Sequence, residues 1–210
     1  MTSIRIAFAL TVLAGARLAT AQAPRAATYI TDEEVKAVSA VPGTDRTIRV
    51  VDIGNENFAI GIIHRGASGA PAAAGRAGGA PPANAPAAEA CGMAGTAPQG
   101  STSGIAHDSQ TEGYLIVSGG GTLVTGGHIV NGRKSTPESQ VTKELNGPSC
   151  SGAIDGADVV RRQVKTGDII IIPAGVPHGW TEITDHVDYL SLRPSGQLLQ
   201  AGYVHPAIRK

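Results

Sequence analysis

The second half of the chain consists of short segments rich in β-branched residues, each bounded by glycine or proline. Strand-length segments at such close spacing, separated by Gly/Pro turns, are typical of antiparallel barrels and sandwiches. No helix-length segments alternate with them, so a doubly wound parallel sheet is not expected. The predicted strands are Thr111 to Val117, Thr122 to Thr125, Val159 to Val164, Asp168 to Ile172, Trp180 to Ile183 and Val187 to Leu192.

The N-terminal residues predict an export signal followed by a short helix. Met1 to Ala21 combines Arg5, an apolar run and an Ala-Thr-Ala cleavage site, which is typical of a signal peptide. The alternative, an uncleaved anchor, is disfavoured because the apolar run is too short to span a bilayer. Thr31 and Glu34 form a capping box that predicts a helix to about residue 40. Two further predicted strands follow, Thr47 to Ile53 and Asn57 to His64.

Two segments are not predicted to form strands. From 66 to 104, 28 of the 39 residues are Gly, Ala or Pro, and such a segment buries too little apolar surface to order itself. We interpret it as a flexible insertion, tethered if Cys91 pairs with Cys150. Two cysteines in an exported protein most simply form one disulfide, and two free thiols are the alternative. The segment from 126 to 158 is polar and turn-rich. The chain thus divides into a signal peptide (1–21), a helical lead-in (22–46), a β-domain (47–194) and a tail (195–210).

Chemistry-bearing residues occur in two motifs that are far apart in the chain. The first runs from His107 to Glu112 and on to Gly119, and the second from Gly167 through Pro173 and Gly175 to His178. Two imidazoles and one carboxylate suit a divalent transition metal with open coordination positions.

These spacings resemble the two conserved motifs of the cupin superfamily. The second motif matches at Gly167, Pro173, Gly175 and His178, and the first matches at His107, Glu112 and Gly119. The resemblance implies a double-stranded β-helix (jelly-roll) barrel over about 47–194, and a metal bound by His107, Glu112 and His178. The chain departs from the pattern at Ile105, where the family has its first histidine. His64, which ends a predicted strand, is an alternative source of the missing ligand.

Alternation along strands adds residues to this predicted site. Residues two apart in a strand share a face, so Tyr114 is expected beside Glu112, and Trp180 and Glu182 beside His178. We predict Tyr114 and Glu182 as catalytic residues for acid–base chemistry. Barrel packing is the alternative role for Tyr114 and Trp180, and a solvated strand end is the alternative for Glu182.

The formal net charge is zero, and no basic patch indicates a nucleic-acid partner. We therefore expect a secreted or periplasmic metal-binding protein that takes a small organic molecule, with no nucleic-acid partner and no membrane partner after signal cleavage. The function hypotheses are a metal-dependent dioxygenase, a lyase or isomerase, or a non-catalytic sugar- or organic-acid-binding protein with a degenerate metal site. Fe, Mn, Zn and Ni all suit the donors, with Fe(II) slightly favoured. A homodimer is a further expectation.

Overall fold

The computed structural model describes residues 26–69, 88–195 and 200–209. The predicted signal peptide lies outside these residues. The described residues form one α-helix and eleven strands: α1 Asp32–Ser39, β1 Asp45–Asp52, β2 Asn57–Gly66, β3 Ala90–Cys91, β4 Ser103–His107, β5 Glu112–Thr125, β6 His128–Lys134, β7 Ser149–Asp155, β8 Val160–Lys165, β9 Ile169–Ile172, β10 His178–Thr181 and β11 His186–Ser195. A π-helical turn (Val141–Leu145) and a 3-10 turn (Pro206–Ile208) complete the described structure. In this part of the chain no helix is both long and apolar enough to cross a membrane.

The long strand β5 joins two antiparallel sheets into one barrel. Its first half pairs with β9 and β11, and the sheet continues through β2 to β1. Its second half pairs with β8 and β10, and the other sheet continues through β4, β7 and β6 to β3. The prediction of an all-β jelly-roll barrel with a short N-terminal helix is therefore confirmed.

Gly119 lies where β5 passes from one sheet to the other. Its φ is +67°, and a Cβ there would lie 2.0 Å from the carbonyl oxygen of His186 on β11. Only glycine accepts both this backbone conformation and this close approach. The glycine of the first motif is thus explained by the bend of the barrel.

The main hydrophobic core fills the barrel between the two sheets. Its buried members come from both halves of the barrel: Ile63, Tyr114, Ile116, Leu123, Val164, Ile172, Ile183, Val187 and Tyr189. Helix α1 starts with the predicted capping box and packs outside, where Val38 contacts a smaller cluster with Ile48 and Ile62. The tail returns to β1, since the backbone N–H of His205 donates to the Ile48 carbonyl at 2.9 Å.

The predicted insertion and the polar segment after it contain more structure than their composition indicates. Residues 70–87 lie outside the described residues, but β3 follows them and pairs with β6. Cys91 and Cys150 form the predicted disulfide, which links β3 to β7. The polar segment 126–158 contains β6 and β7, because β7 pairs with β4 and so becomes part of the barrel wall. Both strands had been missed because their residues are mostly polar.

Candidate metal centre

Three strand ends bring the predicted ligands together. His107 is the last residue of β4, Glu112 is the first of β5 and His178 is the first of β10. The turn of the second motif is tied to the first ligand, since the Gly175 N–H donates to the His107 carbonyl at 2.7 Å. Gly175 has a φ of +80°, which a turn residue without a Cβ adopts at little cost. The motif glycine therefore positions His178 relative to His107.

The three side chains form one buried cluster. One ligand-type atom from each of His107, Glu112 and His178 lies within 4.8 Å of the other two. The Nε2 atoms of both histidines are 3.3 Å from the same atom, Oε2 of Glu112. All three side chains are at most 4% exposed. The predicted convergence of these residues is therefore present.

Hydrogen bonds on the far side of each imidazole determine where its proton lies. The Val176 carbonyl is 3.0 Å from Nδ1 of His178, and a carbonyl only accepts, so Nδ1 carries the hydrogen. Ser149 donates its hydroxyl hydrogen to the Gly147 carbonyl at 2.9 Å, so it accepts from Nδ1 of His107 at 2.8 Å. In the neutral rings both Nε2 atoms are then lone-pair acceptors that face a carboxylate oxygen.

The two oxygens of Glu112 have different surroundings. Oε1 accepts hydrogen bonds from Ser191 at 2.9 Å, Asn146 at 3.0 Å and Arg193 at 3.1 Å. Oε2 accepts one from Tyr114 at 2.7 Å and faces the two imidazoles. Burial works against ionisation, but the positive charge of Arg193 opposes that effect, and the pKa of Glu112 lies below its ordinary value. Glu112 is thus an anchored carboxylate with one oxygen directed at the cluster.

Burial lowers the pKa of His107, so its neutral form is favoured. Neutral imidazole and ionised carboxylate are the protonation states that metal ligation requires. Oε2 accepts from Tyr114 and Nε2 of His107 lies 2.7 Å from the Asn146 amide nitrogen, so of the three acceptors Nε2 of His178 is the one without a donor among the described residues. The residues therefore fit a divalent transition metal, and their oriented Nδ1–H groups are the usual outer partners of metal-bound histidines.

Asn146 is a member of the site that sequence reasoning missed. It follows the π-helical turn, and its Nδ2 lies 2.7 Å from Nε2 of His107 and 3.0 Å from Oε1 of Glu112. Its Oδ1 is buried and has no hydrogen-bond partner among the described residues. No motif marks this position, because the residue lies in a loop whose path depends on β6 and β7.

Arg193 and Asp45 form a second buried layer that was also missed. Arg193 on β11 is 0% exposed and donates from Nη2 to Asp45 at 2.6 Å and from Nε to Glu112. Burial disfavours the guanidinium charge, but the two carboxylates outweigh it and raise the pKa of Arg193. The arginine therefore forms ion pairs with both acids and holds Glu112 in place.

Aromatic rings form one wall of the cavity beside the cluster. Tyr114 lies 6.2 Å from the His178 ring and 4.3 Å from Tyr189, measured between ring centroids, and Trp180 stacks on Tyr189 at 5.4 Å. Burial and the neighbouring Glu112 charge raise the pKa of Tyr114 well above its ordinary value. Tyr114 thus lies where it was predicted and keeps its proton at neutral pH. The cavity has a volume of about 700 Å³.

Glu182 does not join the other predicted site residues. Its φ is +52°, it is exposed, and its carboxylate accepts a hydrogen bond from Thr122 at 2.5 Å. Strand β10 ends at Thr181, so the alternation that placed Glu182 beside His178 is interrupted. Ile183 instead turns into the core.

The structure also shows where Ile105 and His64, the two positions considered for a further histidine ligand, lie. Ile105 pairs directly with His178 across β4 and β10, so an aliphatic side chain occupies the position of the absent histidine. His64 is exposed and pairs with Asp188 at 2.6 Å on the outside of the barrel. His64 therefore does not supply a fourth ligand.

Comparisons with known proteins gave matches only among solved structures. No family model and no curated protein matches this chain. A double-stranded β-helix protein from Klebsiella pneumoniae is 15% identical, with 82% of this chain and 93% of that chain covered and a TM-score of 0.37. A cupin protein from Bacteroides fragilis is 12% identical, with 70% and 72% covered and a TM-score of 0.30. The DMSP lyase from Ruegeria pomeroyi is 12% identical, with 80% and 54% covered and a TM-score of 0.36.

At these identities and TM-scores the similarity says nothing about the activity or ligand of this chain. The motif resemblance to the cupin superfamily rests on residues of this chain alone. The two-sheet barrel and the positions of the motif residues agree with that resemblance independently of these matches.

Proposed function

We propose that this protein is an exported, metal-dependent enzyme that acts on a small organic molecule within the barrel. The observation that carries the proposal is the meeting of three hydrogen-free acceptor atoms, Nε2 of His107, Nε2 of His178 and Oε2 of Glu112. Tyr114 and Asn146 each direct one hydrogen at this set, and a cation bound by all three atoms would satisfy the remaining lone pairs. The adjoining cavity gives a small molecule access to the cluster.

Each residue has a defined part in this proposal. A divalent cation supplies Lewis-acid or redox chemistry with open positions for a substrate. Ser149 and the Val176 carbonyl orient the two imidazoles, and Arg193 holds Glu112 through Oε1. Tyr114 keeps a proton beside Oε2 and is the one predicted acid–base residue in contact with the cluster. Its proton suits it to act as the acid in lyase or isomerase chemistry. The set of two histidines and one carboxylate instead favours oxygenase chemistry.

A second candidate function is a non-catalytic ligand-binding protein with a degenerate metal site. Two observations favour it. Ile105 occupies the position of a family ligand, and the Asn146 amide already lies on the lone pair of His107. Glu182 also lies outside the cavity, and its catalytic role stays a prediction without a geometric argument in its favour.

Elemental analysis of the purified protein tests the proposal. About one equivalent of a single transition metal is expected in the wild type and in His64→Ala, a control that removes an outward-facing histidine. His178→Ala should hold far less, since it loses one of three donors. A wild-type protein that takes up no Fe(II), Mn(II), Ni(II) or Zn(II) would favour the second candidate. Oxygen uptake with a panel of phenolic and organic acids then separates oxygenase from lyase chemistry.

Export and assembly are part of the same proposal. The Cys91–Cys150 disulfide fits an oxidising compartment. N-terminal sequencing of the protein recovered from the periplasm or medium should begin after Ala21, and a product that keeps Met1 would contradict export by cleavage. Sedimentation tests the expected homodimer, which a monomer would contradict.

A further inference from the structure

Arg65 is a charged side chain that faces the inside of the barrel. Along β2 the side chains alternate, so Arg65 shares the inner face with the core residue Ile63, while His64 points outward to Asp188. Arg65 is half-buried and borders the same cavity as His107, Glu112 and His178. A guanidinium that is partly removed from water at the wall of a cavity normally has an anionic partner.

Among the described residues no carboxylate forms an ion pair with Arg65, although the charge of Asp45 acts on it from farther away. The two acids that line the cavity, Asp45 and Glu112, are both bound to Arg193. Arg65 donates a hydrogen bond from its Nε to the hydroxyl oxygen of Tyr189 at 3.0 Å. Its Nη1 and Nη2 groups have no hydrogen-bond or ion-pair partner in the described part of the chain. These two groups form the edge of a guanidinium that binds a carboxylate through two parallel hydrogen bonds.

Tyr189 positions the guanidinium from its Nε side. Its oxygen accepts from Arg65, so its own hydrogen is free to donate, and no acceptor for it occurs among the described residues. Its ring is held between Tyr114 at 4.3 Å and Trp180 at 5.4 Å, so the hydroxyl has a fixed position. The hydroxyl therefore holds the guanidinium at Nε and leaves its Nη1–Nη2 edge open to a ligand.

The charges in the cavity favour the same kind of ligand. Two acids and two arginines line or support it, so they balance without a metal. A divalent cation at the cluster would add two positive charges, and a site with excess positive charge attracts anions. A neutral sugar would leave the guanidinium edge unpaired, whereas an organic acid satisfies it.

We propose that the cavity binds a small organic acid, with its carboxylate on the Nη1–Nη2 edge of Arg65 and its other end at the His107–Glu112–His178 cluster. The aromatic wall lies between the two ends, because the Tyr114 ring is 4.3 Å from Tyr189 and 6.2 Å from His178. The position of the second end rests on the proposed function, whereas the carboxylate subsite does not.

Calorimetric titration with matched probes tests this subsite. Benzoate and succinate are compared with their neutral amides, benzamide and succinamide, on metal-loaded and on metal-free protein. The wild type should bind a carboxylate at least about tenfold more tightly than its amide, since charge-assisted hydrogen bonds supply that difference. Arg65→Gln should remove the preference, Arg65→Lys should keep part of it, and Arg162→Gln, which removes an exposed charge on β8, should leave it unchanged.

The outcomes separate this inference from the proposed function. No carboxylate preference in the wild type, or a preference that survives Arg65→Gln, overturns the organic-acid subsite even if the protein holds a metal. A preference that depends on Arg65 in a protein that takes up no metal supports the subsite and favours the binding-protein alternative. Metal content should be the same in Arg65→Gln and the wild type, which excludes a general loss of structure as the cause.

Discussion

Glu112→Gln is the substitution that most directly tests the metal site. It keeps the size of the side chain but replaces Oε2, the atom 3.3 Å from both Nε2 atoms, by an amide nitrogen. An amide nitrogen does not ligate a metal, and its hydrogens can instead donate to the imidazole lone pairs. Arg193 retains Asp45, so we expect the variant to fold without metal.

The size of the effect follows from linkage between binding and folding. A cation at about 100 times its dissociation constant stabilises the folded wild type by about 2.7 kcal/mol. For a chain of this length that raises the Tm by about 5–11 °C. Loss of groups that only orient metal ligands weakens affinity about 10–100-fold, so loss of a ligand carboxylate should weaken it by at least about 100-fold. The variant then gains only about 0.4 kcal/mol at the same metal concentration, or roughly 1–2 °C.

Thermal unfolding with and without added metal measures both shifts. Asp108→Asn is the matched control, because Asp108 is next to His107 in sequence but is exposed and pairs with Lys134. That control should keep the full metal-induced shift. An equal shift in Glu112→Gln and the wild type would remove Glu112 from the ligand set and refute the reasoning from the acceptor cluster.

Three further predictions test neighbouring parts of the molecule. Asn146→Asp should raise metal affinity by roughly tenfold or more, because a second carboxylate beside Glu112 is stabilised only when a cation is present. An unchanged affinity in a metal titration would contradict this expectation. Tyr114→Phe should lower the free energy of unfolding by about 1.5–3 kcal/mol in urea, since it removes a buried hydrogen bond to a carboxylate; a loss below about 0.5 kcal/mol would argue against that bond. Reduction of the Cys91–Cys150 disulfide, which spans 59 residues, should lower the free energy of unfolding by about 4 kcal/mol. Identical urea midpoints with and without reductant would show that the crosslink does not constrain the unfolded chain.

The second motif could be predicted from sequence because its geometry is local. Gly167 and Gly175 both have positive φ, and the turn between β9 and β10 fixes where His178 enters its strand. Fixed spacing along the chain therefore carries the structural information. The alternation argument was equally reliable for Tyr114, which lies on the inner face two residues after Glu112.

The same argument failed at Glu182 for a physical reason. A residue with positive φ reverses the side-chain alternation, so Glu182 is exposed and Ile183 is buried. The Ile183 N–H donates to the Ser68 hydroxyl at 2.9 Å, a contact from a distant part of the chain that helps to end the strand at this point. A pattern within one strand contains no information about such a partner.

The two oxygens of Glu112 show what motif spacing leaves out of a site like this. Oε2 is the atom that the motif provides, and its neighbours His107 and His178 belong to the motifs as well. Oε1 is held by Ser191, Arg193 and Asn146, which lie 34 to 81 residues further along the chain and carry no motif of their own. Because these donors occupy one oxygen, the other remains directed at the cluster as a single ligand atom. The identity of the candidate ligands is therefore readable from sequence, whereas the geometry that brings them together depends on how the barrel closes.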